Sequence, residues 1–312
     1  KRLFEKKSYL FLSIFQCFMN KIIISRMSII LTSLVVSYLI SDIYENILGF
    51  ILILSIGVIH GANDLLIIKK YSIDKTSNNQ FLLFFYYLAI VLIGFVFFYV
   101  IPSLALLAFI AVSVYHFGEQ HWEVNLSDTN IPSKIKLFLI LSHGLTFFII
   151  IFMNNLILVN EVLVSFTLSP VKYSFLTISL LTITIVYSFL LIYNKTLRKY
   201  FISESLFFIL LFILTLYSTL IFGFAIYFIF FHSILSIKDQ VKFIYNNDKP
   251  TSIKKYIRSS MPYFILALIF LLIFYLYVDL EKINLLQIIF TFLAAITFPH
   301  VIVIEKMYSH KK

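Results

Sequence analysis

Four histidines lie within apolar stretches of the sequence, where an ionisable side chain is costly and usually functional. The stretches are GVIHGANDLL, SVYHFGEQHW, FIFFHSILSI and ITFPHVIVIE, and their histidines are His60, His116, His232 and His300. A single histidine of this kind can also serve only as a hydrogen-bond partner between helices. Neutral imidazoles bind iron, copper, zinc and nickel, so the four would form a metal site if the fold brought them together.

The composition indicates that these histidines belong to an integral membrane protein. Of the 312 residues, 61% are hydrophobic and only 13% are charged, whereas soluble domains carry about a quarter charged residues. The single cysteine, Cys17, excludes an internal disulfide and a cysteine-ligated metal site. No small-residue cleavage site follows the apolar segment 8–19, which favours an interfacial helix over a signal peptide.

The apolar segments predict an all-α, polytopic membrane helix bundle with about ten transmembrane helices. Each segment approaches the roughly 20 residues that a crossing needs. Two longer apolar runs must be divided, one at Pro102 and the other near Ser218 and Thr219. The predicted segments are 28–41, 47–66, 80–101, 103–118, 135–153, 171–193, 202–218, 220–237, 262–278 and 285–304.

The basic residues predict how this bundle is oriented. If the chain starts inside, the inner loops and the two ends contain all 25 lysines and arginines except Lys172 and Lys282, as the positive-inside rule requires. Both termini are therefore expected to be cytoplasmic. We expect a basic cytoplasmic or interfacial segment at 1–27, a transmembrane domain at 28–305 and a cytoplasmic tail at 306–312. The net charge of +10 then reflects topology, and no nucleic-acid partner is expected.

This topology places the four histidines at a similar depth. They lie near the ends of the second, fourth, eighth and tenth predicted helices, all of which run from outside to inside. Imidazoles from four different helices are what a site in the core of a helix bundle needs. We therefore expect them to converge in the cytoplasmic half of the membrane.

Asp64 is the one carboxylate that we expect beside this site. It follows His60 by four residues, so on a continuous helix the two side chains would share a face. Its carboxylate could then orient an imidazole that binds a metal. Alternatively, it could be a charge at a helix end, paired with Lys69 or Lys70.

The other titratable residues of the apolar region are weaker candidates. His121 is expected in a loop, His143 near the inner half of the fifth helix, and His310 in the solvated tail. Glu119 and Glu305 follow His116 and His300 and are expected at the headgroup boundary.

The histidine-containing motifs resemble those of the Brp/Blh family of membrane-embedded carotene dioxygenases. The motifs are HGANDLL at 60–66, YHFGEQHW at 115–122, FFHS at 230–233 and FPHVIVIE at 298–305. They occur in order between residues of about 47 and 305, which is nearly the whole predicted membrane region. The first two motifs are fairly specific together, whereas FPH alone is weak.

The resemblance implies an iron(II) enzyme of the cell (inner) membrane. It would cleave β-carotene at the central 15,15′ double bond with O2 to give two retinal molecules, which would supply a microbial rhodopsin. His60, His116 and His232 match the family's iron ligands. The family places a further histidine one helical turn after the third of these, where this chain has Ser236. Either His300 replaces that ligand, or the metal has three protein imidazoles.

Four alternatives to this enzyme remain at the level of sequence. Ser236 suggests a homologue that binds a carotenoid or retinal without cleaving it. A proton- or ion-coupled transporter could use the histidines as a relay, and two histidines could hold a haem. Membrane fatty-acid hydroxylases and desaturases usually have short HxxxH boxes, and this chain has none.

Overall fold

The computed structural model of the chain describes residues 21–71, 80–126, 131–277 and 285–310. The interfacial helix predicted at 8–19 lies outside the described residues. Within them the backbone forms helices and short connections, and no strand occurs. The predicted all-α class is therefore confirmed.

The helices that run through this part of the chain are labelled in order. Those of the first half are α1 (Lys21–Leu39), α2 (Asp42–Leu52), α3 (Val58–Gly61), α4 (Asp64–Tyr71), α5 (Gln80–Val100), α6 (Pro102–Leu126) and α7 (Ser133–Asn154). Those of the second half are α8 (Leu156–Ser165), α9 (Tyr173–Tyr193), α10 (Phe201–Tyr217), α11 (Leu220–Ile226), α12 (Ile234–Tyr245), α13 (Pro250–Tyr277) and α14 (Leu285–His310). Two π-helical segments, π1 (Ile53–Gly57) and π2 (Tyr227–Ser233), join α2 to α3 and α11 to α12, and a 3₁₀ turn (Arg198–Tyr200) precedes α10.

Nine helical stretches among the described residues are long and apolar enough to cross a membrane, so the chain is a multi-pass membrane protein. They are Asp42–Tyr71, Leu82–Val100, Pro102–Glu123, Ser133–Asn154, Tyr173–Tyr193, Arg198–Tyr217, Leu220–Tyr245, Pro250–Tyr277 and Leu285–His310. These nine correspond to the second to tenth predicted segments. The first predicted segment, 28–41, falls on α1, which contains the shorter apolar stretch Ile24–Leu39.

The two predicted helix breaks are confirmed. Helix α5 ends at Val100 and α6 begins at Pro102, where a proline needs no backbone N–H partner. Helix α10 ends at Tyr217, and Thr219 caps α11 by accepting a hydrogen bond from the Phe222 N–H at 3.3 Å. The Thr219 N–H itself donates to the buried Glu45 carboxylate at 2.7 Å.

The second span differs from its prediction, because it is not one continuous helix. It changes from α2 to π1 and α3, and a turn at Ala62 and Asn63 separates α3 from α4. The Asn63 side chain is fully buried and donates to the Tyr256 carbonyl at 2.9 Å. The turn therefore has a polar partner from α13, which the apolar sequence pattern alone does not reveal.

Helices α6 and α7 cross at unusually close range, because each has a glycine at the contact. A Cβ added at Gly118 would overlap the Ile140 carbonyl, and one added at Gly144 would overlap the Val114 carbonyl. Small residues allow such close backbone approach between membrane helices. The crossing fixes the part of α6 that carries His116.

The core of the bundle is built from the most buried spans. These are α6, α7, the α11–π2–α12 span and α14, whereas α13 exposes most of its side chains. Phenylalanines dominate the largest buried cluster, in which Phe147, Phe222 and Phe292 are almost completely shielded. The four histidines lie beside this cluster.

Candidate metal centre

The structure brings the four histidine rings together in the core. His60 comes from α3, His116 from α6, His232 from π2 and His300 from α14. The His60 ring centroid lies 4.7 Å from that of His300 and 5.2 Å from that of His232. The His116 centroid lies 4.6 Å from that of His232 and 5.2 Å from that of His300. All four side chains are buried, with at most 7% of each residue exposed.

Two of these histidines depend on the π-helical segments. His232 lies within π2, and His60 follows π1 by three residues. A π-helical turn contains an extra residue, so it rotates the side chains that follow it, and such turns are frequent at functional sites. The pattern of apolar residues does not distinguish a π-helical turn from an α-helical one, so the sequence predicted the histidines but not their orientation.

Two rings are oriented by hydrogen bonds from their Nδ1 atoms. His60 donates through Nδ1 to the Gly57 carbonyl. His300 donates through Nδ1 to Asp64 Oδ1 at 2.8 Å, and the Tyr87 hydroxyl donates to Asp64 Oδ2 at 2.8 Å. In both rings this leaves the Nε2 lone pair available for a metal, as in the carboxylate–histidine pairs of known metal sites.

Asp64 therefore contacts a histidine other than the one its spacing suggested. The turn at Ala62 and Asn63 interrupts the helix, so Asp64 does not share a helix face with His60. Its two carboxylate oxygens instead accept hydrogen bonds from His300 and Tyr87.

Among the described residues, the remaining ring nitrogens have no hydrogen-bond partner. Both nitrogens of His116, both of His232 and the Nε2 of His300 are buried without a hydrogen bond, and Glu119 Oε2 lies 4.0 Å from His116 Nδ1. Five unpaired polar atoms in one place would be costly, and a bound metal ion would satisfy several of them. One ring nitrogen from each of His60, His116 and His300 lies within 4.8 Å of the other two. The residues present thus fit a metal that prefers imidazole ligands.

Ser236, at the position where the resemblance implies a further histidine, takes part in a hydrogen-bond network. Its side chain is fully buried, and its hydroxyl accepts a hydrogen bond from the Gln240 amide at 3.0 Å. The same amide donates to the His60 carbonyl at 2.8 Å, and the Tyr256 hydroxyl donates to the Gln240 side-chain oxygen at 2.7 Å. Ser236 is thus part of a network that supports the backbone at His60, while His300 is the fourth ring of the cluster.

A large apolar cavity, here called the outer chamber, lies beside His60 and His300. It has a volume of about 510 Å³ and a nearly entirely apolar lining. Leu92 from α5 and Leu266 from α13 line it and are 44% and 46% exposed on the outer surface of the bundle. The chamber therefore extends from the exposed surface of the bundle at α5 and α13 to His60 and His300.

A second cluster of titratable residues contains two histidines that sequence reasoning undervalued. His121 was expected in a loop, which is wrong: it lies in α6, which continues to Leu126, and it is 7% exposed. His143 lies in α7 but does not border the outer chamber; its ring stacks on that of His121 at 3.8 Å. Both rings donate to Glu204 of α10, at 2.8 and 3.1 Å.

This group, here called the glutamate cluster, satisfies its own hydrogen bonds. The Tyr187 hydroxyl donates to Glu204 at 3.0 Å, and the Tyr227 hydroxyl lies 3.2 Å from His143 Nε2. The spacing of His121, His143 and Glu204 would also suit a metal ion. However, an ion would have to displace existing hydrogen bonds, whereas the four-histidine cluster has unpaired nitrogens. The sequence does contain a sign of this cluster, because Glu204 is an acidic residue within an apolar segment.

Three other titratable residues lie outside both clusters and differ in their exposure. Glu119 is 4% exposed and accepts a hydrogen bond from Tyr115 at 3.1 Å, so it lies within the protein rather than at its surface. Glu305 is exposed. His310 is exposed at the end of α14, where its Nδ1 donates to the Lys306 carbonyl.

The helical bundle and its buried group of histidines define a multi-pass membrane protein with a candidate metal centre. Residues 51–308, most of the chain, match the family described as beta-carotene 15,15′-dioxygenase. The chain belongs to this family, in agreement with the resemblance of its histidine motifs. No curated protein and no solved structure matches it.

Proposed function

We propose that this protein is an iron(II)-dependent β-carotene 15,15′-dioxygenase in which the four histidine rings form the metal centre. Membership of the family supports carotene cleavage as the reaction. The observation that supports the site is the group of five buried ring nitrogens without partners. They belong to three rings of one cluster, and neutral imidazole suits iron among other transition metals.

The proposed ligands are His60, His116, His232 and His300, with Asp64 as the residue that orients His300. An iron(II) ion held there would supply the redox chemistry that O2 needs and that protein side chains lack. In the overall reaction the central C=C bond and the O–O bond break, and each carbon gains one oxygen atom. Two aldehydes form, and no other reactant is required.

The residues of the chain would position the substrate and exclude water from the site. The apolar walls of the outer chamber would hold the polyene by burying its surface. Fixing the central double bond beside the histidines would determine which bond is cleaved. Because β-carotene dissolves in the bilayer, it would reach the chamber laterally between α5 and α13.

The location and biological context extend the proposal. We place the protein in the cell (inner) membrane, with both termini cytoplasmic and the transmembrane domain at 28–305. The retinal produced would be available to a microbial rhodopsin.

The reaction is tested with purified protein, Fe(II), O2 and β-carotene. Retinal should appear with the wild type and should fall at least roughly 100-fold in His116→Ala, because this variant removes one of the proposed metal ligands. His310→Ala is the matched control, since this exposed histidine lies outside the cluster. Absence of retinal with iron-loaded wild-type protein would refute the proposed activity.

A second candidate function is a carotenoid-binding protein that does not cleave its ligand. The serine at position 236, where the family pattern has a histidine, favours it. Such a protein would bind β-carotene in the outer chamber but would neither bind iron stoichiometrically nor lose the ligand's visible absorption in air.

A further inference from the structure

A second apolar cavity, here called the inner chamber, lies near the histidine cluster but is lined by none of the four histidines. It has a volume of about 70 Å³ and no polar lining surface. Its walls include Phe109 and Ile110 of α6, Phe148 of α7 and Ile289 of α14. The proposed function above assigns no role to this chamber.

A small cavity, here called the junction, is bordered by all four histidines and shares lining residues with both chambers. This junction has a volume of about 30 Å³. It shares Phe228 and Thr297 with the outer chamber, and Phe109 and Phe224 with the inner chamber. Leu293 lines all three cavities. The junction is therefore adjacent to both chambers, and the four histidines border it.

The two ends of this series differ in their access to the membrane. The outer chamber includes the exposed residues Leu92 and Leu266. Every residue that lines the inner chamber is buried or half-buried. Among the described residues, exposed side chains therefore line the outer chamber but not the inner one, so we take the outer end as the entrance for a long apolar molecule.

We propose that the inner chamber receives the leading half of the carotene and that Leu293 controls its passage. The inference rests on the proposed function, because cleavage at a central double bond requires equal lengths of substrate on both sides of the reacting carbons. A histidine centre between two apolar chambers meets this requirement, whereas a centre at the end of a single pocket would present the end of the polyene. The depth that the leading ring reaches in the inner chamber then selects the bond that is cleaved.

The inner chamber must widen to admit this half. At about 70 Å³ it is smaller than one half of such a substrate, so the rings of Phe109 and Phe224 at its entrance have to turn aside. Leu293 of α14 lines the junction as well as both chambers, so a larger side chain at this position would fill the junction. We therefore assign Leu293 as the specificity-determining residue.

Binding without turnover tests this assignment separately from the activity. Metal-free protein under nitrogen is titrated with β-carotene and with a truncated polyene, an apocarotenal that has one ring and ends just beyond the central double bond. The truncated polyene can enter tail first and leave the inner chamber empty. In Leu293→Phe, β-carotene should bind about ten-fold or more weakly, while binding of the truncated polyene changes less than about three-fold.

Two further variants complete the test. Leu285→Phe makes the same substitution on the same helix at an exposed position outside the chambers, and it should bind both ligands as the wild type does. Ile110→Trp reduces the inner chamber from a half-buried position on α6. It should weaken the binding of β-carotene but not that of the truncated polyene. This variant tests the inference if Leu293→Phe does not fold.

Either of two results would overturn the inference. One is β-carotene binding that is unchanged in the folded variants, and the other is an equal loss for both ligands. Failure of the proposed dioxygenase activity would appear differently, as wild-type protein that binds β-carotene selectively but makes no retinal when iron and O2 are supplied.

Discussion

At the scale of single residues, the site depends on which nitrogen of each histidine is already engaged. The Nδ1 atoms of His60 and His300 donate to Gly57 and Asp64, which fixes both rings with Nε2 free. The rings of His116 and His232 have no such partner among the described residues. Their orientation comes from packing, as in the stacking of His232 on Phe228 at 5.7 Å. A metal ion would therefore order these two rings most.

Replacing Asp64 by asparagine tests the oriented half of the site. Asp64→Asn keeps the size of the side chain but removes the negative charge beside His300, so iron affinity should fall by roughly 10–100-fold. Tyr87→Phe is the comparison, because it removes one hydrogen bond to the same carboxylate and leaves the His300 contact intact. Iron affinity should fall only a few-fold in Tyr87→Phe. Metal titration followed by spectroscopy measures both, and equal affinity in Asp64→Asn and wild type would contradict the assignment.

A pair of variants tests whether His300 or Ser236 completes the metal site. His300→Ala should lose bound iron, because its Nε2 is one of the unpaired nitrogens. Ser236→Ala should retain it, since the Gln240 amide still donates to the His60 carbonyl after the serine hydroxyl is removed. Iron content per purified chain is the measurement. Loss of iron in Ser236→Ala with retention in His300→Ala would reverse the assignment.

At the scale of helices, the site is set by departures from regular α-helix and by close packing. The segments π1 and π2 present His60 and His232, and the turn before α4 directs Asp64 towards His300. The contact between Gly118 and Ile140 holds α6 against α7. These features all lie within spans whose length and apolar character are otherwise ordinary.

The glycine contact gives a prediction about stability. Gly118→Ala would place a methyl group against the Ile140 carbonyl, and since backbone cannot move aside without separating the helices, we expect a loss of about 1–3 kcal/mol or more. Iron content should fall with it, because α6 carries His116. Gly94→Ala, whose added Cβ would lie 3.1 Å from the Ala295 Cα, should cost less. Thermal unfolding in detergent ranks the two, and an undisturbed Gly118→Ala would refute the close crossing.

Sequence reasoning predicted the features that depend on composition and missed those that depend on local geometry. Length, apolar character and proline position predicted the helical class and the break at Pro102. The histidines were found because ionisable residues are conspicuous in apolar segments. The helix face expected to be shared by His60 and Asp64 was wrong, because nothing in the sequence marks the turn at Ala62 and Asn63. His121 was misplaced because it follows polar residues that are typical of a loop, although here they extend α6.

At the scale of the whole molecule, the bundle contains two buried polar clusters that differ in their hydrogen bonding. The four-histidine cluster gathers rings from α3, α6, π2 and α14 and leaves nitrogens unpaired. The glutamate cluster links α6, α7, α9 and α10 and pairs its donors with one carboxylate. An interhelical hydrogen bond in a membrane contributes about 0.6 kcal/mol on average and at most about 1.7 kcal/mol. Three such bonds to Glu204 would stabilise the packing of these four helices by about 2–5 kcal/mol.

This division predicts one iron per chain. The glutamate cluster has the residue types for a second ion, but binding there would sacrifice the bonds that hold His121, His143 and Tyr187 to Glu204. Glu204→Ala should therefore lower the free energy of unfolding by about 2–5 kcal/mol while the folded fraction keeps its single iron. His116→Ala should do the opposite, with the iron lost and the apo-protein unfolding near the wild-type apo-protein. Metal analysis and thermal unfolding on the same preparations separate the two roles. Two irons per wild-type chain, falling to one in Glu204→Ala, would instead make the glutamate cluster a second metal centre.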